Sequence, residues 1–531
     1  MANSSKVWVS DLIGEEYKKW TGKTILLACG TGRGKTTFAL GIYCKYLLAE
    51  EKSVIYLCNR TTLKEQIRYD INRYGIKDIT CISYQKFTQM LISGDSIPEF
   101  DVYICDEAHY FLSDSEFNLY TDIIYEYLMN RNQDKTLLFM TATYKNIFNK
   151  IERDIKRESR QGAIKYYLPT DYSYVNKICW FRNNDLYGII DDLLTNTDDK
   201  IMYFCNSITK MRKLYNHYSP TKGRNCDEDE NVIHETKIQY MDFYCSDTSE
   251  NNGINFINKY CSKDIISRNK SNDGYSFGNR LLVTTKVLDN GVDFKDKKIK
   301  HIICDIFDLE SAIQCLGRKR IIDGSDSCAF YIRDYQSHEL NLFYKKVIEQ
   351  LEPVLLLKND RTEWINKYGK DREYKDYTIF FDFDYTHDWK INHLRFEKLL
   401  SDKAIILDMK EKRTSYRDEI IRYLGESVSG KSIDIDDVRQ ERVQDIIEIF
   451  LKNNVDRKLS KEEQEKFTNI CDIRDRFNRQ QNSIGQIKKY LEVNYGFTIV
   501  SRQFKEKKKY VRYWIIKKID DSKKGVSIRP P

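Results

Sequence analysis

The sequence predicts an α/β protein with two consecutive units of parallel strands and helices, followed by a mostly helical carboxyl-terminal region. Short apolar runs alternate with amphipathic stretches in the first third of the chain, and the alternation begins again after about Asp171. Strands that alternate with helices form parallel sheets covered by helices. Beyond about Glu349 the chain is charged, aromatic and helical in pattern, and its 531 residues suffice for three or four domains.

Apolar runs define the strands of the two units. In the first unit they are Thr24–Cys29, Ser53–Cys58, Ile79–Ser83, Asp101–Asp106 and Thr136–Met140. In the second they are Lys200–Cys205, Arg280–Thr284, His301–Asp305 and Cys328–Ile332. Helical patterns at Thr36–Glu50 and Thr62–Tyr74 lie between strands of the first unit. A polar stretch of the second unit, about 221–280, predicts an insertion.

Composition limits the class of protein. Charged residues make up 31% of the chain and the net charge is +7, so any nucleic-acid-binding surface has to be local. The first 20 residues lack the pattern of a signal peptide, and no apolar run is long enough to cross a bilayer. The 14 cysteines lie mostly in strand-like segments without a C-x-x-C pair, which favours buried reduced thiols. We expect a cytoplasmic protein of a bacterial cytosol or phage-infected cell, without a membrane partner.

A glycine-rich segment follows the first strand and precedes a helix. It consists of Gly30, Thr31, Gly32, Arg33, Gly34, Lys35, Thr36 and Thr37. Glycines allow backbone N–H groups to converge on phosphates, and the helix start adds positive potential. Lys35 is then placed for the β- and γ-phosphates of ATP, and Thr36 for a magnesium ion. Cys29 stands where the strict pattern has glycine.

An acidic group ends the fourth strand of the first unit, at Asp106, Glu107, Ala108 and His109. A carboxylate at this position can hold Mg²⁺ through water, which is the role predicted for Asp106. Glu107 is the candidate base for the attacking water, and His109 is placed to sense the neighbouring domain.

On these motifs the chain resembles a superfamily-2 helicase of the DEAH-box (DExH) group, in which ATP is hydrolysed between two tandem RecA-like domains. Further segments resemble motifs of that family: Asn59-Arg60-Thr61-Thr62-Leu63, Ser83-Tyr84-Gln85, Thr141-Ala142-Thr143, Ile201 to Ser207, Leu281 to Phe294, and Gln314 to Arg320. The resemblance extends from about Ile25 to Arg320. The second arginine of the last motif is Arg320, whereas Ile321 occupies the more usual position.

The resemblance implies roles for residues of these motifs. Gln314, Arg318 and Arg320 would act with Glu107 in catalysis. Of the two arginines, Arg318 occupies the usual position in the motif and is the preferred candidate for the γ-phosphate contact. Gly291 and Asp293 would join the nucleotide site with His109. The implied nucleic-acid contacts are Arg60, Thr61, Ser83, Gln85, Ser207 and Thr285. A cationic finger from a second domain would link closure of the domains to hydrolysis.

The carboxyl-terminal third contains two further features. Asp382, Asp384, His387, Asp388 and His393 could form a metal site, but alternation with aromatic residues favours a half-buried strand with a solvated acidic face. Near the end, a predicted helix at Ser483–Tyr495, a basic stretch and flanking strands have the outline of a winged helix. Its candidate nucleic-acid contacts are Lys505, Lys507, Lys508 and Lys509. The alternative is a solvated hairpin that caps a helical domain.

Four domains are therefore expected: RecA-like domains at 1–170 and 171–345, a mostly helical accessory region at 346–475, and the winged-helix outline at 476–531. The expected function is that of an ATP- and Mg²⁺-dependent helicase or translocase acting in replication, repair or recombination, with DNA favoured over RNA and protein partners from a replication or defence complex. One alternative is the ATPase subunit of a defence or restriction-type translocase. Another is an ATP-gated nucleic-acid sensor that does not unwind.

Overall fold

The structure is a computed structural model of the chain. It describes residues 7–30, 32–59, 61–131, 135–157, 162–219, 240–244, 266–269, 274–288, 292–369, 378–382, 387–428, 430–471, 473, 481–506 and 509–519. The chain forms two compact units, residues 1–432 and 433–531, and each is described by itself.

The first α/β domain contains a six-stranded sheet. Its strands are β1 Thr24–Cys29, β2 Val54–Cys58, β3 Ile79–Ser83, β4 Val102–Asp106, β5 Thr136–Thr141 and β6 Ile164–Leu168. They are all parallel, in the order β3-β2-β4-β5-β1-β6. The helices are α1 Val9–Ile13, α2 Lys35–Phe38, α3 Lys45–Ala49, α4 Thr61–Arg73, α5 Tyr84–Ile92, α6 Tyr110–Ser113, α7 Thr121–Met129 and α8 Lys145–Arg157. A π-helical segment, Ala39–Cys44, joins α2 to α3.

The second α/β domain is built around another parallel sheet. Its strands are β7 Val175–Phe181, β8 Lys200–Cys205, β9 Met241–Tyr244, β12 Leu281–Thr284, β13 Ile299–Asp305 and β14 Cys328–Arg333, and between β9 and β12 lies the hairpin of β10 Ile266–Asn269 and β11 Gly274–Phe277. The order is β7-β14-β13-β8-β12-β9, with β17 Ser432–Asp434 beyond β7. The helices are α9 Leu186–Asn196, α10 Ile208–Tyr218 and α11 Leu309–Gly317.

Both sheets have buried strands because helices cover their two faces. Every residue of β1, β2, β4 and β5 is buried, which explains why these strands are continuous apolar runs rather than alternating ones. Two apolar clusters lie in the first domain, and one larger cluster fills the second. The predicted pair of tandem RecA-like domains is confirmed by these two parallel sheets.

The rest of the first unit is mostly helical, as predicted. Its helices are α12 Ser337–Asn359, α13 Arg361–Lys367, α14 His393–Lys410 and α15 Tyr416–Leu424, and a hairpin is formed by β15 Ile379–Asp382 and β16 Asp388–Ile391. Residues of α14 and α15, including Ile406, Met409 and Ile420, belong to the apolar cluster of the second α/β domain. This region therefore packs onto the domain that precedes it.

The second unit combines three helices with an antiparallel sheet. It contains α16 Ile435–Asn453, β18 Lys458–Leu459, α17 Lys461–Cys471, α18 Ile484–Asn494, β19 Phe497–Glu506 and β20 Lys509–Lys518, with the strand order β18-β20-β19. The predicted helix and hairpin are present. Ile447 and Phe467 share a core with Leu491 and Trp514, so α16 and α17 belong with the tail. A segment of 56 residues (476 to 531) could bury little apolar surface alone.

Candidate nucleotide and nucleic-acid sites

The glycine-rich loop lies at the carboxyl end of β1, next to the first residues of α2. Gly32 and Gly34 have φ values of 71° and 85°, a left-handed region that favours glycine. At Gly30 a Cβ atom would lie 2.0 Å from Thr170 Oγ1, so only glycine fits there. Thr31 lies outside the described residues. The loop therefore has the backbone shape that a phosphate cradle needs.

Lys35 begins the helix that follows this loop, and its ammonium group is buried. Its Nζ atom lies 3.7 Å from Glu107 Oε1 and has no hydrogen-bond partner among the described residues. A buried ammonium group without hydrogen bonds costs free energy unless a ligand supplies acceptors. The geometry of the loop and this ammonium group together fit an anionic phosphate.

Asp106 and Glu107 lie at the end of β4, beside the loop. Asp106 is 3% exposed, and its Oδ1 and Oδ2 atoms accept hydrogen bonds from Glu107 N at 3.0 Å and Tyr56 Oη at 2.8 Å. Glu107 has a φ of 50°, which is uncommon outside glycine and occurs often at functional sites. This backbone turn places the Glu107 carboxylate between Lys35 and His109.

A chain of polar contacts connects this acidic group to the second domain. His109 Nδ1 lies 3.4 Å from Glu107 Oε2 and 3.0 Å from Thr141 Oγ1. Thr141 Oγ1 also accepts a hydrogen bond from Thr143 N at 3.2 Å. Gln314, on α11 of the second domain, donates from Nε2 to Thr143 Oγ1 at 2.8 Å. The predicted catalytic glutamine is therefore joined to the candidate base through three intervening residues, His109, Thr141 and Thr143.

Arg318 caps the carboxyl end of α11 with helical backbone angles, and Arg320 follows Lys319, which pairs with Phe294. The ammonium group of Lys319, between the two arginines in the sequence, is buried 2.6 Å from Asp326 Oδ2. Both arginines approach Asp293 Oδ1, Arg320 at 2.7 Å and Arg318 at 3.8 Å. The Arg320 guanidinium group also lies beside the glycine-rich loop, since a Cβ atom built on Gly32 would lie 3.8 Å from its Nη1 atom.

The charges around Glu107 control its protonation. Burial raises the pKa of Glu107, but Lys35, His109 and the two arginines outweigh this effect and lower it below its usual range. In contrast, burial and the adjacent Glu107 carboxylate raise the pKa of Asp106. Burial also raises the pKa of Asp293, and Arg320 and Arg318 more than reverse this. The cations thus keep the candidate base ionised, as a base needs to be.

The residues predicted to hold magnesium fit that ion. Each carboxylate oxygen of Asp106 has one protein donor and retains a lone pair, and carboxylate and hydroxyl oxygens are ligands that Mg²⁺ prefers. Thr36 follows Lys35 in α2, on the loop side of the same sheet edge. Asp106 and Thr36 stay the residues predicted to hold the ion.

The predicted nucleic-acid contacts of the α/β domains lie at the carboxyl ends of strands. Ser83 and Ser207 cap α5 and α10, accepting hydrogen bonds from Lys86 N and Lys210 N, both at 3.2 Å. Gln85 donates to Asn59 at 3.0 Å, and Thr285 follows β12. Arg60 and Gly291 lie outside the described residues, as does the side chain of Thr61. The contacts that these residues make with nucleic acid stay a prediction.

The predicted basic contacts of the tail lie on the β19–β20 hairpin. Lys505 is exposed near the end of β19. Lys507 and Lys508 lie outside the described residues, and for Lys509 only the backbone is described, at the start of β20. Tyr510 next to them is 70% exposed, which leaves its ring available for stacking.

The acidic group near Asp382 forms strands rather than a metal cluster where it is described. Asp382 and Asp388 pair across the β15–β16 hairpin, and Asp382 forms an ion pair with Lys390 at 2.9 Å. Asp384 lies outside the described residues. Among those that are described, no group of three or more His, Cys, Asp or Glu residues is arranged to hold a metal. Within the same residues, no helix combines the length and apolarity needed to span a membrane.

Two groups near the site were missed by sequence reasoning. Tyr56 on β2 reaches Asp106 across neighbouring strands, and the signal was a tyrosine inside a buried strand, where a phenol needs a partner. The second group is Asp308, Glu310 and Lys398, in which Lys398 Nζ lies 2.5 Å from Asp308 Oδ2. No sequence signal joins these residues, because α14 and α11 meet only in the folded chain.

Comparisons with known proteins give structural matches alone. Neither protein-family profiles nor curated protein sequences match the chain. A structure of S. cerevisiae Dbp5 bound to RNA and ADP BeF3 matches with a TM-score of 0.40 and 13% identity, covering 60% of this chain and 81% of that one. A Dbp5 variant bound to the same ligands gives 0.42 with the same identity and coverage. The Escherichia coli DEAH/RHA helicase HrpB gives 0.38 and 12%, covering 61% of this chain and 42% of that one.

Proposed function

We propose that the chain is a nucleic-acid-stimulated ATPase that moves along or remodels nucleic acid by closing its two RecA-like domains on ATP. The observation that carries this proposal is the buried Lys35 ammonium group, which has no hydrogen-bond partner among the described residues and faces an ionised Glu107. Arg320 approaches the same loop from the second domain, and Arg318 lies near it, at the Asp293 carboxylate that both arginines share.

Each group has a distinct task in this proposal. Lys35 binds the β- and γ-phosphates, whose oxygens supply the hydrogen-bond acceptors that its ammonium group lacks among the described residues. Glu107 orients the attacking water and accepts its proton, because its carboxylate stays ionised. Arg318 and Arg320 stabilise negative charge on the transferring phosphoryl group. When bound at Asp106 and Thr36, Mg²⁺ would neutralise charge on the phosphate oxygens.

The polar chain from Glu107 to Gln314 supports a link between hydrolysis and domain movement. Loss of the γ-phosphate would weaken the attraction that holds the arginines at the loop, and Gln314 would then be free to separate from Thr143. The strand ends that carry Ser83, Gln85, Ser207 and Thr285 belong to both domains. Nucleic acid bound across these ends would therefore respond to closure.

ATPase measurements with single- and double-stranded DNA and RNA test this proposal. We expect hydrolysis that is stimulated by at least one nucleic acid and depends on Mg²⁺. Strand displacement on forked substrates then distinguishes unwinding from translocation or an ATP-gated switch. DNA as the preferred nucleic acid, and a role in replication, repair, recombination or defence, stay part of the proposal. A purified protein that neither binds nor hydrolyses ATP would contradict it.

A further inference from the structure

Two buried tyrosines donate hydrogen bonds to Asp106. Tyr56 on β2 is fully buried, and its hydroxyl group donates to Asp106 Oδ2 at 2.8 Å. Tyr84 at the start of α5 is also fully buried, and its hydroxyl group donates to the Asp106 backbone carbonyl at 2.8 Å. The carboxylate and the peptide that leads into Glu107 are therefore held by separate donors.

The hydrogen bond from Tyr56 restricts the Asp106 carboxylate, and it does more than satisfy a buried phenol. Glu107 N holds Oδ1 at 3.0 Å while Tyr56 holds Oδ2, so rotation of the carboxylate breaks at least one hydrogen bond. Any backbone carbonyl would satisfy a buried phenol. Here the acceptor is instead the carboxylate that the proposed function assigns to Mg²⁺.

We propose that Tyr56 is a positioning residue for magnesium, which fixes the Asp106 carboxylate in the orientation that binds the ion. This inference rests on the proposed function. Tyr56 lies in β2 and pairs with Ile104, two residues before Asp106, so its ring reaches forward along β4 to the carboxylate. A fixed ligand loses less conformational freedom when the metal binds, which raises affinity.

Tyr56→Phe tests the inference, because it removes one hydroxyl group and keeps the ring. Tyr103→Phe is the matched control: Tyr103 is also fully buried in the same sheet, but its hydroxyl group contacts that of Tyr127 at 3.4 Å. The Mg²⁺ concentration that gives half-maximal ATPase activity is measured for each variant. Binding of Mn²⁺ is measured separately by electron paramagnetic resonance with a non-hydrolysable ATP analogue.

We expect Tyr56→Phe to weaken Mn²⁺ binding and to raise the half-maximal Mg²⁺ concentration about tenfold, the lower end of the effect of removing a hydrogen-bond partner of a metal ligand. Saturating Mg²⁺ should restore most of the rate, whereas Tyr103→Phe should match the wild type in both measurements. Thermal unfolding of the two variants shows whether each is folded. Equal metal binding by Tyr56→Phe and Tyr103→Phe would overturn the inference.

The proposed function can fail independently of the inference about Tyr56. In that case the wild-type protein itself would show no Mg²⁺-dependent nucleotide binding. If the wild type binds and hydrolyses Mg²⁺·ATP but Tyr56→Phe leaves metal binding unchanged or tighter, only the role of Tyr56 is wrong.

Discussion

At the scale of single residues, the candidate site is a small set of charges whose neighbours determine their chemistry. Glu107 is buried, yet Lys35, His109 and two arginines hold its pKa below the usual range. Lys35 is buried, yet no described hydrogen-bond acceptor satisfies it. If either charged group were removed, burial of the other would cost more free energy. Because Lys35 and Glu107 depend on each other and on a phosphate ligand, a substitution of either one tests the assignment of the site.

Lys35 and Glu107 should differ in the step that they affect. Lys35→Ala should weaken ATP binding and lower hydrolysis by about two orders of magnitude or more. Glu107→Gln should lower hydrolysis similarly but retain ATP binding, since Glu107 acts in the chemical step. Equilibrium binding of a fluorescent ATP analogue and steady-state hydrolysis measure the two effects. Lys45→Ala, an exposed change in the same helical run, should be neutral, and near-normal turnover in either main variant would contradict the assignment.

Arg318 and Arg320 should both be needed for hydrolysis. The sequence predicts that Arg318→Ala costs at least as much rate as Arg320→Ala. The structure adds a reason for a large effect at Arg320, whose guanidinium group approaches Gly32. We expect each change to lower the rate about a thousandfold, with little further loss in the double variant. Single-turnover hydrolysis is the measurement; effects below about tenfold would mean that the second domain does not complete the site.

At the scale of elements, α11 and α14 connect the two α/β domains. Gln314 and Glu310 on α11 bond to Thr143 and Asn146 of the first domain at 2.8 and 3.1 Å. Lys398 on α14 pairs with Asp308, the residue that caps α11. The contacts of Gln314, Glu310 and Lys398 are polar and can be exchanged more readily than apolar ones when the domains move, whereas Leu394 of α14 is part of an apolar cluster of the first domain.

Glu310 should make stability depend on pH. Burial and the nearby Asp308 carboxylate raise the pKa of Glu310 to about 8, although Lys398 and Asn146 act against them and the Asp402 carboxylate reinforces them. A group with a raised folded pKa stabilises fully below its unfolded pKa, about 4.5, and this contribution is lost as pH rises through about 8.

Glu310→Gln removes that titration and keeps an acceptor for Asn146. We expect the melting temperature of the variant, relative to the wild type, to increase between pH 5 and pH 8. Glu349→Gln, whose side chain is 59% exposed, serves as the control and should show no such trend. A wild-type-like pH dependence in Glu310→Gln would show that this carboxyl group titrates normally.

At the scale of the whole molecule, the chain consists of two units with separate cores. All described nucleotide-contacting candidates lie in residues 1–432, whereas the basic hairpin lies in residues 433–531. A cut near Asn478 would separate α16 and α17 from the core that they share with Trp514. A cut after Asp434 keeps all of β17 and removes the second unit except for its first two residues, Ile433 and Asp434.

Ending the chain after Asp434 should leave basal ATPase activity intact and lower nucleic-acid affinity. Replacing Lys505, Lys507, Lys508 and Lys509 by glutamine tests the charge without removing the unit. If all four lysines contact duplex phosphates, the slope of log affinity against log salt should flatten by up to about 3–4 units. Filter binding across salt concentrations measures this slope. An unchanged affinity and slope would assign binding to the two α/β domains alone.

The sequence by itself determined the two parallel sheets, the order of their motifs and the loop that fits phosphate. These features are local: apolar runs form the buried strands, and glycines permit the left-handed turns at Gly32 and Gly34. The sequence also predicted the helix and hairpin of the tail, since both have periodic patterns of apolar residues.

Only the tertiary structure decided which groups act together. Tyr56 and Asp106 are 50 residues apart, and Glu310 and Asn146 are 164 apart, so no local pattern predicts either contact. The approach of Arg318 and Arg320 to the same Asp293 carboxylate depends on how the turn after α11 packs, and the core of the second unit depends on packing by α16 and α17. Local chemistry selects backbone shape, whereas burial and pairing of charges arise only when distant segments pack together.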